Sequence, residues 1–458
     1  VKITIIGGAG VRTPLLMAAL ARRQGQIHLT DVTLVDADEA KLAVMGPLCR
    51  YAAERGGAEF VLSWTTDARE ALPDSGAVIT TIRPGGEDAR ILDERIALER
   101  GVLGQETTGP GGFAMSLRTI PAVSHYARMM RELCPDAWLL NFTNPAGLVA
   151  QALSTTFPDM KIVGICDTPT GMHRRVAAAF GRRPAEVPIR FFGLNHLSWM
   201  SQALVDGENV VPRIIADPDL ARRVPELALF DPDLLQIVGM LPNEYLYFYY
   251  YREQAVEHIL AAGETRGEQV RRLSGDLLGD LREIDPAEHP DRAWQRYAAY
   301  LGSRHGSYMA AESASKGMNA DEAQGSEERS QEGEGYAGVA LDILTAAEGE
   351  PRSLVANVPN RGAIPGMRGD DVVEVVCRAD HTGLHPVPTD SIPEDALLLM
   401  RQVKRYERLT VEAVRDRSRE CAVEALMNHP LVGSYSLARS LVDAYLAAHQ
   451  RYVGDWAA

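Results

Sequence analysis

The stretch VKITIIGGAGVRTPLLMAALAR, residues 1–22, starts as a β-branched apolar run, meets a glycine cluster at Gly7, Gly8 and Gly10, and continues in an alanine- and leucine-rich helical pattern. It reads as strand, turn and helix. The next apolar run, Val32 to Val35, ends in Asp36, and Ala77 to Ile82 ends in the turn-like Pro84-Gly85-Gly86. Trp138 to Leu140, followed by Asn141, and Lys161 to Ile165, followed by Cys166, repeat the layout. Strands alternating with helices in this way predict an α/β class, with residues 1–170 forming a Rossmann-like, doubly wound parallel sheet. Such sheets bind ligands at the carboxyl ends of their strands, which sets Gly8, Asp36, Arg83, Asn141, Asn144, Cys166 and Asp167 along one crevice.

Beyond residue 170 the pattern loosens. Arg190 to Leu194, Leu354 to Val358 and Val372 to Cys377 read as strands, while 217–301 and 397–449 are rich in helix formers. Residues 171–458 are therefore expected to form a C-terminal mixed α+β domain. The acidic, Gly- and Ser-rich segment 318–334 reads as a solvated loop with no assigned role.

The whole-chain balance excludes several classes. With 47 Lys and Arg against 62 Asp and Glu, the formal charge of −15 disfavours nucleic acid as a partner. No apolar run reaches about 18 residues and no cleavable leader is visible, so a cytoplasmic protein without a membrane partner is expected. Five scattered cysteines read as reduced thiols. A G-x-S-x-G elbow, a Walker A lysine and an H-E-x-x-H helix are all missing.

Five groups of residues carry candidate chemistry, each with a plainer alternative. The cluster Gly7, Gly8, Gly10 followed by Asp36 suits a dinucleotide, whose ribose an acid would grip, with NAD favoured over NADP; a tight βα turn is the alternative. Arg83 and Arg90 can fork a phosphate, or be salt-bridged surface residues. The loop GQETTGPGG, 104–112, has the backbone freedom to approach a ligand around Glu106, or is a turn-rich connection. Cys166 and His196 are too few for a structural zinc site, so they hold a catalytic ion with open positions or pack as a buried pair. The run YLYFYYY, 245–251, is mostly core, with one tyrosine able to act as a base.

Together these segments resemble the NAD- and metal-dependent glycosidases of glycoside hydrolase family four, nearly end to end. The resemblance rests on IGGAGVRTP at 6–14, IRPGGEDARILDERIALERG at 82–101, GQETTGPGGFAMSLRTIP at 104–121, NFTNPAG at 141–147, CDTPTG at 166–171, GLNHL at 193–197, LPNEYL at 241–246 and RHGSY at 304–308. Within the family the wording is most similar to the 6-phospho-β-glucosidase branch. The resemblance implies Gly7, Gly8, Gly10 and Asp36 at NAD, Arg90 and Arg83 at the sugar 6-phosphate, and Glu106 and Asn144 at sugar hydroxyls. It implies Cys166 and His196 as manganese ligands, although softness alone would suggest zinc, and Tyr245 as catalytic base.

The implied reaction is redox-assisted elimination, an exception to the two-carboxylate scheme of most glycosidases. The sugar is oxidised at C3 by NAD, deprotonated at C2 by Tyr245, loses its aglycone from C1, then gains water and recovers its hydride. A phenol with an ordinary pKa of about 10 is a weak base at neutral pH, and a neighbouring divalent ion is what would lower it. Two departures from the family wording stand out. Asp167 occupies a place where β-specific members tend to carry Asn and α-specific members carry Asp as general acid, so a 6-phospho-α-glucosidase is the sibling alternative. Ala9 and Gly10 stand where Gly and Ser are common. An NAD-dependent sugar dehydrogenase is the rival from another class. The expected partner is a phosphorylated disaccharide or glucoside, and the family suggests a homodimer or homotetramer.

Overall fold

The computed structural model describes residues 1–305 and 335–456. The acidic segment 318–334, and the part of RHGSY beyond His305, lie outside the described residues. Six strands, β1 (Lys2–Ile6), β2 (Asp31–Val35), β3 (Val61–Thr65), β4 (Ser75–Thr80), β5 (Trp138–Asn141) and β6 (Lys161–Gly164), pair in parallel in the order β3-β2-β1-β4-β5-β6. This is the doubly wound arrangement expected from the alternating pattern. Helices α1 (Thr13–Arg23), α2 (Glu39–Arg55), α3 (Ala68–Ala71), α4 (Gly86–Leu98), α5 (Pro110–Leu133), α6 (Ala146–Thr156) and α7 (Thr168–Ala179) connect and follow these strands. Strand β3 escaped the sequence reading because it is a half-covered edge: only Trp64, packed over Gly46, and Leu62 reach the core, and Val61 is 64% exposed.

The sheet continues past β6. Strands β7 (Ile189–Leu194), β8 (Leu197–Val205), β9 (Glu208–Asn209), β10 (Leu241–Pro242), β11 (Arg352–Pro359), β12 (Val372–Asp380) and β13 (Gly383–Pro386) pair antiparallel. A single step, Asn357 of β11 opposite Gly164 of β6, joins the two sets into one sheet of 13 strands. The strand read at Arg190 to Leu194 is thus half of a hairpin closed by only two residues, Asn195 and His196. The C-terminal helices Glu394–Asp416, Arg419–Asn428 and Tyr435–Ala448 lie where helix formers predict them.

The first turn explains its glycines by geometry. The amides of Gly7 and Gly8 both donate to the Val35 carbonyl, at 2.8 and 2.9 Å, which pulls the turn tightly over β2. Gly7 has φ +92°, and a Cβ there would drive into the Thr81 carbonyl oxygen. Gly7→Ala combines a left-handed backbone with an unrelieved clash, a cost of about 2–5 kcal/mol. The variant is expected to melt at a clearly lower temperature, and an unchanged thermal midpoint would remove the clash argument.

Candidate active site

The carboxyl ends of the parallel strands open on a cleft of about 1430 Å³. Of the residues singled out from the sequence, Gly7, Gly10, Asp36, Arg83, Arg90, Glu106, Asn144, Asp167 and Tyr245 line it. Gly8, Cys166 and His196 lie behind the lining. Gly8 faces β2, where a Cβ would sit 2.6 Å from Leu34 Cβ. His196 instead borders a separate cavity of about 20 Å³.

At one end of the cleft, Asp36 at the end of β2 accepts the Ala9 amide on Oδ2 and the Asp38 amide on Oδ1, each at 3.1 Å. One backbone donor per oxygen leaves acceptor capacity toward the cleft, as a ribose diol requires. The glycine turn and the start of α1 stand beside it, a pairing suited to a pyrophosphate.

The middle of the cleft holds an ion-pair cluster. Glu106 Oε2 lies 2.6 Å from Arg83 Nη1 and 3.0 Å from Arg90 Nη1, while Arg90 Nε contacts Glu94 at 2.7 Å and Arg83 Nε contacts Glu87 at 3.2 Å. Both readings of these arginines therefore meet: they line the cleft and they are salt-bridged. Although burial works in the opposite direction, Arg83 and Arg90 hold the Glu106 carboxyl well below the usual range. The cleft lining carries more arginine and lysine than aspartate and glutamate, the reverse of the chain as a whole. An acidic protein thus presents a locally basic cleft, the field that draws an anionic ligand.

At the far end, Cys166 Sγ and His196 Nε2 point at each other across 3.6 Å. Two donors bound to one ion at about 2.3 Å (S) and about 2.1 Å (N), the lengths known for zinc, stand roughly 3.6 Å apart at a tetrahedral angle. The loop 104–112 completes this corner: Gln105 Oε1 accepts the amides of Thr107 and Thr108 at 2.7 and 2.6 Å, and Thr107 Oγ1 lies 2.9 Å from His196 Nδ1. A polar partner on Nδ1 orients the ring and leaves Nε2 for a ligand. Burial lowers His196 to about 4, keeping the imidazole neutral, and pushes the Cys166 thiol up. A bound cation would reverse the second effect. Among the described residues no group of three or more His, Cys, Asp and Glu could hold a metal, so an ion here keeps positions open.

The Tyr245 ring stacks on His196, parallel, with centroids 3.7 Å apart. Asp167 lies 3.7 Å from Arg12 of the glycine turn, linking the two ends of the cleft. The guanidinium of Arg12 also sits 5.4 Å from the ring centre of Tyr336.

Several residues here were not singled out from the sequence. Thr107 and Arg12 lay inside stretches already quoted and had a signal. Glu244 stands beside Tyr245, lines the cleft and accepts from Thr168 Oγ1 at 3.2 Å. Its other oxygen is buried without a partner, and burial pushes its carboxyl up. Glu374, buried in β12, is lifted to about 7 by burial despite three donors. An acid in the run VVEVV was the available signal for it.

Comparison with known proteins gives the family. Residues 2–181 match the family model described as Family 4 glycosyl hydrolase, and residues 191–432 match its C-terminal domain. The chain is 32% identical over 463 residues, 99% of this chain and 97% of the relative, to the Bacillus subtilis (strain 168) protein named "Probable 6-phospho-beta-glucosidase". The 6-phospho-β-glucosidase of Thermotoga maritima, solved with NAD and glucose-6-phosphate, superposes with a TM-score of 0.83 at 28% identity, covering 99% of each chain. A 6-phospho-α-glucosidase from gut microorganisms, in complex with NAD and Mn2+, superposes with a TM-score of 0.80 at 26% identity, covering 99% of this chain and 98% of the other. The chain belongs to glycosyl hydrolase family 4.

Proposed function

We propose that this protein hydrolyses 6-phospho-β-glucosides, among them phosphorylated disaccharides, with NAD and manganese as cofactors. The observation that carries the reading is that one cleft collects a dinucleotide turn with its ribose acid, a basic lining and Tyr245, whose ring stacks on His196 of the Cys166–His196 pair just behind the wall. Residues 1–170 carry the dinucleotide in this reading, and 171–458 complete the sugar and metal site and the assembly, a homodimer or homotetramer. No helix among the described residues is long and apolar enough to cross a membrane, and a cytoplasmic location belongs to the same proposal.

The residues present fit both cofactors. Gly7, Gly8, Gly10 and Asp36 would hold NAD, and Cys166 with His196 would hold the metal. When bound, NAD accepts and returns a hydride at C3 of the sugar, and the metal supplies positive charge at the C2 and C3 oxygens. Everything else falls to side chains of the chain. Arg83 and Arg90 bind the 6-phosphate, drawing on the basic lining. Glu106, held ionised between them, and Asn144 accept and orient sugar hydroxyls. Tyr245 takes the C2 proton on its phenolic oxygen. Asp167, at the cleft wall beside Arg12, orients the water that adds at C1.

The presence of Asp167 in the lining favours one second reading, a 6-phospho-α-glucosidase in which this carboxyl protonates the leaving oxygen. The discriminating experiment is p-nitrophenol release from the α and β anomers of p-nitrophenyl 6-phosphoglucoside, with and without NAD and Mn2+. Release from the β anomer only when both cofactors are present, with no net NADH, is expected. Release from the α anomer alone would overturn the β assignment, and stoichiometric NADH would mark a dehydrogenase.

A further inference from the structure

We infer that Glu374 is a positioning residue that holds the His196 turn and the Tyr245 loop in one register. The inference rests on the reading of Cys166 and His196 as metal donors and Tyr245 as base. Glu374 does not line the cleft, so it acts through other residues.

The turn between β7 and β8 has only two residues, and the second, His196, sits at φ +63°. A side chain in the left-handed region is held there only when its surroundings over-determine it. The hairpin is closed so tightly that a Cβ at Gly193 would strike the Leu197 carbonyl and Ser198 Cα. Glu374, opposite Gly193 in the register of β12 with β7, supplies the clamp. Its Oε1 accepts from Asn195 Nδ2 at 3.3 Å and Asn357 Nδ2 at 3.2 Å, and its Oε2 accepts from Ser198 Oγ at 2.8 Å. Asn195 and Ser198 bracket His196, so one carboxylate grips the turn on both sides of the metal donor. Asn195 is held from behind as well, its Oδ1 accepting the Gly147 amide at 3.3 Å.

The same carboxylate reaches the base. Ser198 accepts the Asn243 amide on its carbonyl at 2.9 Å and Asn243 Nδ2 on its Oγ at 3.3 Å. Asn243 Oδ1 then accepts the Tyr245 amide at 3.0 Å. Two branches thus leave Glu374, one to the His196 turn and one to the Tyr245 backbone. A glutamine at 374 keeps the shape but replaces one acceptor by an NH2 group: turned toward Asn195 and Asn357 it meets two amide donors, and turned toward Ser198 it makes that hydroxyl accept where it had donated.

The test uses Co2+ as probe, titrated into metal-free full-length protein and followed by the thiolate-to-cobalt charge-transfer band. Glu374→Gln and Asn195→Ala are expected to weaken Co2+ binding by about tenfold or more, the scale of outer partners of metal ligands. Ser198→Ala, which loses one of the two grips on the turn and the side-chain half of the branch to Tyr245 but keeps the Asn195 grip, is expected to weaken Co2+ binding less than Asn195→Ala does and to slow loss of deuterium from C2 of a 6-phosphoglucoside at saturating metal. A folded Glu374→Gln protein with wild-type Co2+ affinity and band overturns the inference. Should that variant fail to fold, wild-type affinity in Asn195→Ala overturns it equally. Absence of the band in the wild-type protein would instead sink the metal assignment beneath it.

Discussion

A Tyr245→Phe enzyme is expected to turn over about 10²- to 10⁴-fold more slowly, the span of a lost general base, while still binding cofactor and metal. Phenylalanine preserves the face-to-face contact with His196 at 3.7 Å and the backbone anchor on Asn243, so only the phenolic oxygen goes. The decisive readout is loss of deuterium from C2, which should fall with turnover. An exchange rate equal to that of the wild type would move the base elsewhere in the cleft, with Glu244 next to be examined.

Cys166→Ser is the second large effect. A serine hydroxyl is a harder and weaker donor than a thiolate, and in the proposed reading, where Cys166 and His196, 3.6 Å apart, are the two protein donors, the loss of one leaves His196 alone. Metal stabilisation of developing charge amounts to several kcal/mol, so activity at ordinary Mn2+ should drop by roughly 10²- to 10³-fold. Raising Mn2+ should restore part of it, because the open positions and the substrate oxygens persist. Near wild-type turnover in the presence of a chelator would remove Cys166 from the metal site.

Much of this was legible in the residues. The β-branched run ending in Gly7 and the acid at Asp36 announce a βαβ unit through period and turn chemistry alone, and the observed strand order agrees. Asp167 and Asn144, singled out because they follow strand ends, line the cleft, and Cys166 lies behind its lining. What stayed hidden depends on long-range pairing. Nothing local says that 352–359 will dock on β6, because the union rests on Asn357 meeting Gly164, residues almost two hundred positions apart. For Glu374 the acid in VVEVV was a signal without a meaning: that lies in Asn195, Ser198 and Asn357, which reach it from the β7–β8 turn, β8 and β11. Arg83 and Arg90 could be read as a phosphate fork or as salt-bridged residues; their pairs with Glu87 and Glu94 are only four residues apart in the chain, whereas Glu106 joins them only when α4 and the loop 104–112 come together.

The seam between β6 and β11 also bears on how the chain is made. During synthesis β6 emerges with its apolar residues Ile162 and Val163 and remains an open edge until residues 352–359 leave the ribosome. At about 5–20 residues per second that interval lasts roughly ten to forty seconds. An uncovered apolar edge is a template for pairing with another chain, and distant partners are slow to find by diffusion along the chain. The nascent protein is therefore most exposed to aggregation in this window, and a holdase that shields the β6 edge would raise its yield more than one acting on the finished fold.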